Sequence, residues 1–269
     1  MKKRAAADAG APKSSKKRFF QSQALVNGGD LTKGMRGVLL TCDTHLEKKA
    51  VRECVQMLER LDEDESTAAS CAPATAYNTA GAVLASELAA LQSGQAATGD
   101  FTKGKQRFSV VQTGCGGNVM IRFQHDQDEP LQIVDRAMEA ARTTGTSGAP
   151  HVVRLLPVQA TCAANRASIM QAVTPLIQTL KGCEKTFAVQ WRRRCNTGLD
   201  KMEVIDAIAM AMRDIAPKAK VDLCKPQVAV LLEVVKTVCC VSVLPDWQHF
   251  KSYNLRAICE KPAAAPEAA

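Results

Sequence analysis

Apolar positions along this chain switch repeatedly between runs that suit buried strands and spacings that suit one face of a helix. Gly37-Val-Leu-Leu-Thr-Cys42 is a short apolar run, and Leu46, Ala50, Val51, Cys54, Leu58 and Leu61 then recur at helical spacing. Between them, Thr44-His-Leu-Glu47 has the form of a capping box, with Thr44 at the N-cap and Glu47 reaching back from the third helical position. Arg107-Phe-Ser-Val-Val111 and Asn118-Val-Met-Ile-Arg-Phe123 predict two strands joined by a glycine-rich hairpin turn, Gln112-Thr-Gly-Cys-Gly-Gly117. Leu131, Val134, Met138 and Ala141 give a second helix face. Val152-Val-Arg-Leu-Leu156 is a further strand that enters or bridges to the second half. The order β-α-(insertion)-β-β-α is that of an α+β sandwich of ferredoxin-like kind.

The second half also mixes the two periods. Ile169, Val173, Leu176, Ile177 and Leu180 form a helix face, which Pro175 either kinks or divides. Lys185-Thr-Phe-Ala-Val-Gln-Trp-Arg192 alternates as a strand with Phe187, Val189 and Trp191 on one face. Asp200 is placed to cap a helix carrying Val204, Ile205, Ile208 and Met212. The apolar run Val228–Leu244 predicts two strands, Val228–Leu232 and Val238–Val243, with a turn near Glu233 to Thr237. Glu233 and Lys236 interrupt this run, whereas a membrane-spanning helix needs about 20 apolar residues.

Three stretches lack either period. Residues 1–20 are low in complexity, with basic clusters at Lys2-Lys-Arg4 and Lys16-Lys-Arg18. Asp62 to Gly104 begins with four acidic residues and continues in Ala, Ser, Thr and Gly, which predicts an insertion. Thr143-Thr-Gly-Thr-Ser-Gly-Ala-Pro150 is the best linker candidate. The resulting partition is a disordered basic arm (1–33), a ferredoxin-like domain (34–146) with a flexible insertion (62–104), a second α/β domain (147–257) and a disordered tail (258–269).

Charge narrows the partners. Residues 1–20 hold seven Lys/Arg against one Asp, residues 21–180 hold 14 basic against 16 acidic, and residues 181–269 hold 14 against 10. Basic ends around a nearly neutral middle fit a polyanion partner. The two N-terminal clusters also resemble a bipartite nuclear import signal, which predicts a location in the nucleus or nucleolus; an RNA-contacting arm has the same composition. No apolar stretch follows Lys2, Lys3 and Arg4, so no secretory signal is expected. The eleven cysteines include no C-x-x-C pair, and the bland reading is reduced thiols, mostly in the core. His45, His125, His151 and His249 have no metal-ligand spacing, so no metal is expected. The Thr113–Gly117 loop lacks a phosphate-cradle frame and precedes a strand rather than a helix. Nothing in these motifs supports catalysis.

Arg192-Arg-Arg-Cys-Asn196 carries more chemistry. Three adjacent guanidiniums repel one another unless solvated or paired with an anion, and arginine forks match phosphate. A solvated strand end is the competing reading. Lys218, Lys220, Lys225 and Lys236 lie on the other strand-bearing segment, and one positive face results if the strands pair.

These residues carry a resemblance. Phe187-x-Val189-x-x-Arg192-x-Arg194-x-Asn196, the helix from Asp200, and Val221-Asp-Leu223-x-x-Pro226-Gln-x-x-Val230 followed by Glu233 resemble the THUMP RNA-binding domain. Gly37–Cys42 with Glu47–Glu53, Arg154–Val158 with Thr161-Cys162, Glu233–Val243 and Tyr253-Asn-Leu255 resemble one branch of it, the stand-alone THUMP proteins that act as tRNA adaptors for cytidine acetylation. The resemblance implies a ferredoxin-like domain followed by a THUMP domain, together gripping the acceptor-stem region of tRNA. It implies presentation of leucine and serine tRNAs to a separate RNA cytidine acetyltransferase for N4-acetylcytidine formation in the D-arm. Acetyl-CoA and ATP would belong to that enzyme, and the adaptor itself would hold no cofactor. Arg192, Arg194 and Asn196 match the basic strand-end motif, with Arg193 between them; Lys218, Lys220, Lys225 and Lys236 join by charge and proximity. Asp222, Pro226 and Glu233 would shape the fold. An aromatic content of 4% fits recognition of structured RNA by backbone and shape. Two alternatives remain open. A THUMP-type methyltransferase or thiouridine synthase would need a catalytic domain, and about a dozen residues follow Leu255. A general RNA binder of ribosome assembly is the other.

Overall fold

The computed structural model describes residues 29–69 and 107–260, so both N-terminal basic clusters, most of the predicted insertion and the last nine residues lie outside it. The first unit runs β1 (Gly37–Cys42), α1 (Glu47–Ala69), β2 (Phe108–Gln112), β3 (Asn118–Phe123), α2 (Pro130–Thr144) and β4 (Val152–Val158). Its sheet has the order β2-β3-β1-β4, antiparallel throughout, as a ferredoxin-like βαββαβ unit requires. The central strand β1 is buried along its whole length, which is why Val38-Leu-Leu40 reads as a continuous apolar run. A Cβ at Gly37 (φ 151°) would overlap the Ile121 carbonyl oxygen, so glycine is what lets β3 approach there.

The second unit runs β5 (Ala160–Ala163), α3 (Arg166–Gln178), β6 (Phe187–Arg194), α4 (Lys201–Ile215), β7 (Val228–Val235) and β8 (Val238–Leu244), and a short α5 (Leu255–Cys259) follows. Its sheet order is β5-β8-β7-β6, with β6 and β7 parallel and the other pairs antiparallel; α5 is the last element among the described residues. One face, carrying Val230, Leu232, Val234, Cys239 and Val241, packs on Ile169, Val173, Ile208 and Met212 of α3 and α4. The other face, carrying Ala229, Leu231, Cys240 and Leu244, belongs to the apolar cluster of the first unit. Cys239 and Cys240 therefore face opposite ways, as strand periodicity requires. Asp200 caps α4 by accepting from the Met202 and Glu203 amides.

Several boundaries differ from the sequence expectation. Val152–Val158 pairs with β1, so the sheets part near Gln159 and Thr143–Pro150 is a connection inside the first unit, not a linker between units. The arm placed at 1–33 is tied down from Gly29. The Leu31 amide donates to the Gln112 carbonyl, the Gly34 amide to the Thr161 carbonyl and the Met35 amide to the Thr161 hydroxyl. Helix α1 runs on through the acidic cluster Asp62–Glu65 to Ala69. The capping box does not form: the helix starts at Glu47, and the Glu47 carboxylate accepts the Gly117 amide at 2.9 Å instead. The tail placed from 258 is ordered to Glu260, with Ile258 buried. Trp247, Phe250, Tyr253 and Leu255 join Ile258 in the first unit's cluster, so the C-terminal segment returns across the junction. Among the described residues no helix is long and apolar enough to cross a membrane.

Candidate nucleic-acid interface

The register of β6 against β7 decides what the arginine run can do. Arg192, Arg193 and Arg194 sit opposite Glu233, Val234 and Val235, inside the strand rather than beyond its end. Strand alternation sends Arg192 and Arg194 to the face of Glu233 and sends Arg193 to the other face, where its Nη1 lies 3.4 Å from the Leu199 carbonyl. The run of three guanidiniums is thus a pair on one face and a single arginine on the other.

Beneath that pair lies Glu233, only 1% exposed. Arg192 Nη1 is 3.3 Å from Glu233 Oε1, while Arg194 Nε stands 3.9 Å from Oε2, outside hydrogen-bond reach. These last two atoms are both buried and have no hydrogen-bond partner. Burial pushes the Glu233 carboxyl above its usual range, and the Arg192, Arg194 and Arg154 charges pull it back. Arg154 comes from β4 of the first unit, and its Nη1 donates to the Ser252 carbonyl at 2.7 Å. Burial lowers its pKa first, the nearby Arg192 charge lowers it further, and Glu233 offsets both. Three guanidiniums around one carboxylate leave net positive charge, and Arg192 and Arg194 keep 29% and 36% of their side-chain surface exposed. Such a pair offers N–H donors to a phosphate while Glu233 holds the stems in place.

Lys236 extends this edge. It is exposed in the two-residue β7–β8 turn with φ 53°, and its amide donates to the Arg194 carbonyl. Asn196 Nδ2 donates to the Lys236 carbonyl at 2.6 Å and its Oδ1 accepts from the Leu199 amide, so Asn196 braces the turn. The Lys236 ammonium reaches the glycine-rich loop of the first unit, where it occupies the space a Cβ on Gly114 would need.

The remaining lysines lie elsewhere. The Phe187 amide donates to the Lys220 carbonyl, and Val221 bridges to Phe187, so Lys218, Lys220 and Lys225 gather at the start of β6. Lys218 is ion-paired to Glu184 at 2.6 Å, and Asp222 accepts the Cys224 and Lys225 amides. Because β6 and β7 run parallel, their starts and ends are separated by the length of an eight-residue strand, roughly 23 Å. The single face expected from strand pairing is therefore two basic patches. The first holds Arg154, Arg192, Arg194 and Lys236. The second holds Lys218, Lys220 and Lys225 with the exposed apolar side chains of Val221 and Leu223.

Sequence reasoning did not single out Arg154, because nothing in Val152–Leu156 shows that it meets a strand 38 residues further on. Glu233 did leave a signal, as the lone carboxylate in the apolar run. Among the described residues no group of three or more His, Cys, Asp or Glu side chains could hold a metal.

Comparison with known proteins identifies the domain that carries these residues. The THUMP domain model matches residues 163–244, from the end of β5 to the end of β8. THUMP domain-containing protein 1 from Mus musculus is 28% identical over 241 residues, covering 85% of this chain and 65% of its own length. The Homo sapiens protein is 28% identical over 242 residues, covering 86% and 66%. The chain thus spans about two thirds of the length of the curated relatives it matches. The solution structure of the THUMP domain of THUMP domain-containing protein 1 is 30% identical, covering 28% of this chain and 84% of that domain, with a TM-score of 0.25. Residues 163–244, which build the second sheet, match the THUMP domain, and the chain is similar to THUMP domain-containing protein 1 over most of its length.

Proposed function

We propose that the protein is a noncatalytic tRNA-binding adaptor. On this reading it presents leucine and serine tRNAs to a separate RNA cytidine acetyltransferase, which forms N4-acetylcytidine in the D-arm with its own acetyl-CoA and ATP. The observation that carries the RNA-binding part is the guanidinium pair Arg192 and Arg194 anchored on buried Glu233, with Arg154 and Lys236 beside it, at one edge of the matched domain. Fixed cations at an edge suit the phosphates of a folded RNA, and the second basic patch supplies a further contact along the same sheet.

Charge reversal of Arg192 and Arg194 would place carboxylates over buried Glu233 and unsettle the fold. Arg194→Gln with Lys236→Gln is the cleaner probe. If each cation meets one phosphate, the dependence of log affinity on log salt becomes shallower by about 2, and tRNA binding weakens at constant low salt. Unchanged affinity and slope would remove these residues from the interface. For the adaptor role, tRNA is incubated with acetyl-CoA, ATP, an RNA cytidine acetyltransferase and this chain. Acetylcytidine should form only in the complete mixture. Modification of tRNA by the chain alone, given a methyl or sulfur donor, would show an enzyme instead. Enrichment of rRNA over tRNA among RNAs crosslinked to the chain would favour ribosome assembly. The nuclear location proposed from the two N-terminal clusters is tested by replacing residues 2–4 and 16–18 with alanine and imaging the chain.

A further inference from the structure

The glycine-rich loop of the first unit and the end of β6 meet through two sulfur atoms. Cys115 Sγ lies 3.3 Å from Cys195 Sγ, although the residues are 80 positions apart in the chain. Both cysteines are free thiols, and the Cys115 thiol donates toward the Cys195 sulfur.

Neither sulfur sits on a loose end. The Cys115 amide donates to the Thr113 hydroxyl, its carbonyl accepts the Asn118 amide, and Glu47 holds the Gly117 amide. Cys195, with φ 53°, lies between two residues fastened to Lys236: the Arg194 carbonyl accepts the Lys236 amide, and Asn196 donates to the Lys236 carbonyl. The two differ in access, since Cys195 is exposed and Cys115 is buried. Burial, then the Cys195 sulfur, pushes the Cys115 thiol up to about 11, while the Lys236 and Arg194 charges oppose that rise. Exposure makes Cys195 the first thiol a soluble oxidant meets, and proximity makes Cys115 the second to react.

We propose that Cys115 and Cys195 form a reversible disulfide between the two units, made by exchange with a low-molecular-weight disulfide such as oxidised glutathione. The Cys195 thiolate attacks one glutathione sulfur. That sulfur–sulfur bond breaks, and a glutathione thiolate leaves with the electron pair and takes up the proton Cys195 lost. The Cys115 thiolate then attacks the Cys195 sulfur of the mixed disulfide. The second glutathione leaves as thiolate and is protonated by the equivalent of the Cys115 proton. Two protein thiols are oxidised, and one glutathione disulfide is reduced to two thiols. The sulfurs must close from 3.3 Å to about 2.05 Å, a movement of the order of one bond length. The bond joins a β2–β3 loop to the strand end that carries Arg194 and Asn196, and it stands independently of the tRNA reading.

The full chain is equilibrated with oxidised and reduced glutathione at several ratios, alkylated, digested and mapped by mass spectrometry. A linked Cys115–Cys195 peptide should appear before any other disulfide and vanish on adding dithiothreitol. Cys115→Ser should accumulate a glutathione adduct on Cys195, because the resolving thiol is gone. Cys195→Ser should leave Cys115 alkylatable and unmodified. In the wild type the midpoint of thermal unfolding should rise on oxidation, because a cross-link between distant residues restricts the unfolded chain. Three results would overturn the proposal: both thiols staying alkylatable while other cysteines oxidise, Cys195 halting at the glutathione adduct in the wild type, or Cys195 pairing with a different cysteine. The wild-type map decides even where a serine variant folds poorly.

Discussion

At the scale of single residues, Glu233 governs the basic edge. A carboxylate with a raised pKa contributes stability that is present at low pH and is lost as pH rises through the folded value. Removing its compensating cations steepens that loss. Arg192→Gln with Arg194→Gln is therefore expected to cost about 2 kcal/mol at pH 7, less than a fully buried pair because both guanidiniums are partly in water. The deficit should shrink at pH 4.5, where the carboxyl takes up a proton; chemical denaturation at the two pH values measures it. Asp135 gives a second titration. Burial pushes its carboxyl up to about 6, against the opposing effect of the Tyr253 hydroxyl that donates to it at 2.7 Å. Its stabilising contribution is complete below the usual carboxylate range and is lost as pH passes 6. Asp135→Asn keeps an acceptor for Tyr253, so its melting temperature should exceed that of the wild type at pH 7.5 and match it at pH 4. A gain of equal size at both would contradict this assignment. The concentration of positive charge at Arg192–Arg194 was legible in the sequence. Its division into a pair and an outlier was not, since that depends on where β6 starts to pair with β7.

Among elements, those defined by local pattern were read well. Strands β1, β2, β3 and β8 lie where apolar runs or alternation placed them, and Asp200 caps the helix its spacing announced; β6 and β7 run on to Arg194 and Val235, so Glu233, expected near a turn, lies inside a strand opposite Arg192. Asp200→Ala should cost about 1 kcal/mol, since two amides lose their acceptor, and thermal melting would register it. What the sequence did not disclose are choices settled by distant partners. Strand β4 looks the same locally whether it pairs with β1 or enters the second sheet. Glu47 suits a capping box until Gly117 offers its amide across 70 residues. The turn Lys251-Ser-Tyr253 is another such case, with three successive non-glycine residues at φ 47°, 60° and 55°. Left-handed backbone costs L-residues about 1–2 kcal/mol each, and nothing in the composition of this turn marks it. The conformation is held by the Ser252 amide donating to the Trp247 carbonyl, the Leu155 amide donating to Tyr253, and Arg154 donating to Ser252. Ser252→Gly should leave stability unchanged or raise it by up to about 1 kcal/mol, whereas a substitution by valine should lower it.

For the molecule as a whole, the two sheets were foreseen but their union was not. Ala229, Leu231 and Leu244 of the second sheet share one apolar cluster with Val38, Leu155 and Leu156 of the first. Trp247, Phe250 and Tyr253, with the Tyr253 ring in contact with each of the other two, fill the remaining side. Burial of such side chains is worth about 1.5–3 kcal/mol each. Truncation after Leu244 should therefore speed amide exchange in α2 and β4 more than in α4 and β6, and equal acceleration everywhere would refute the division.

The returning C-terminal segment also sets an order of assembly during synthesis. Leu39 and Leu40 leave the ribosome early, yet the cluster they belong to is not filled until Tyr253, Leu255 and Ile258 have emerged more than two hundred residues later. The face of β7 and β8 that meets them is made before that, together with α3 and α4. Of the two sheets, the one translated first is thus the last to be sealed. In the interval its unfinished apolar surface is the stretch of the nascent chain most in need of a chaperone.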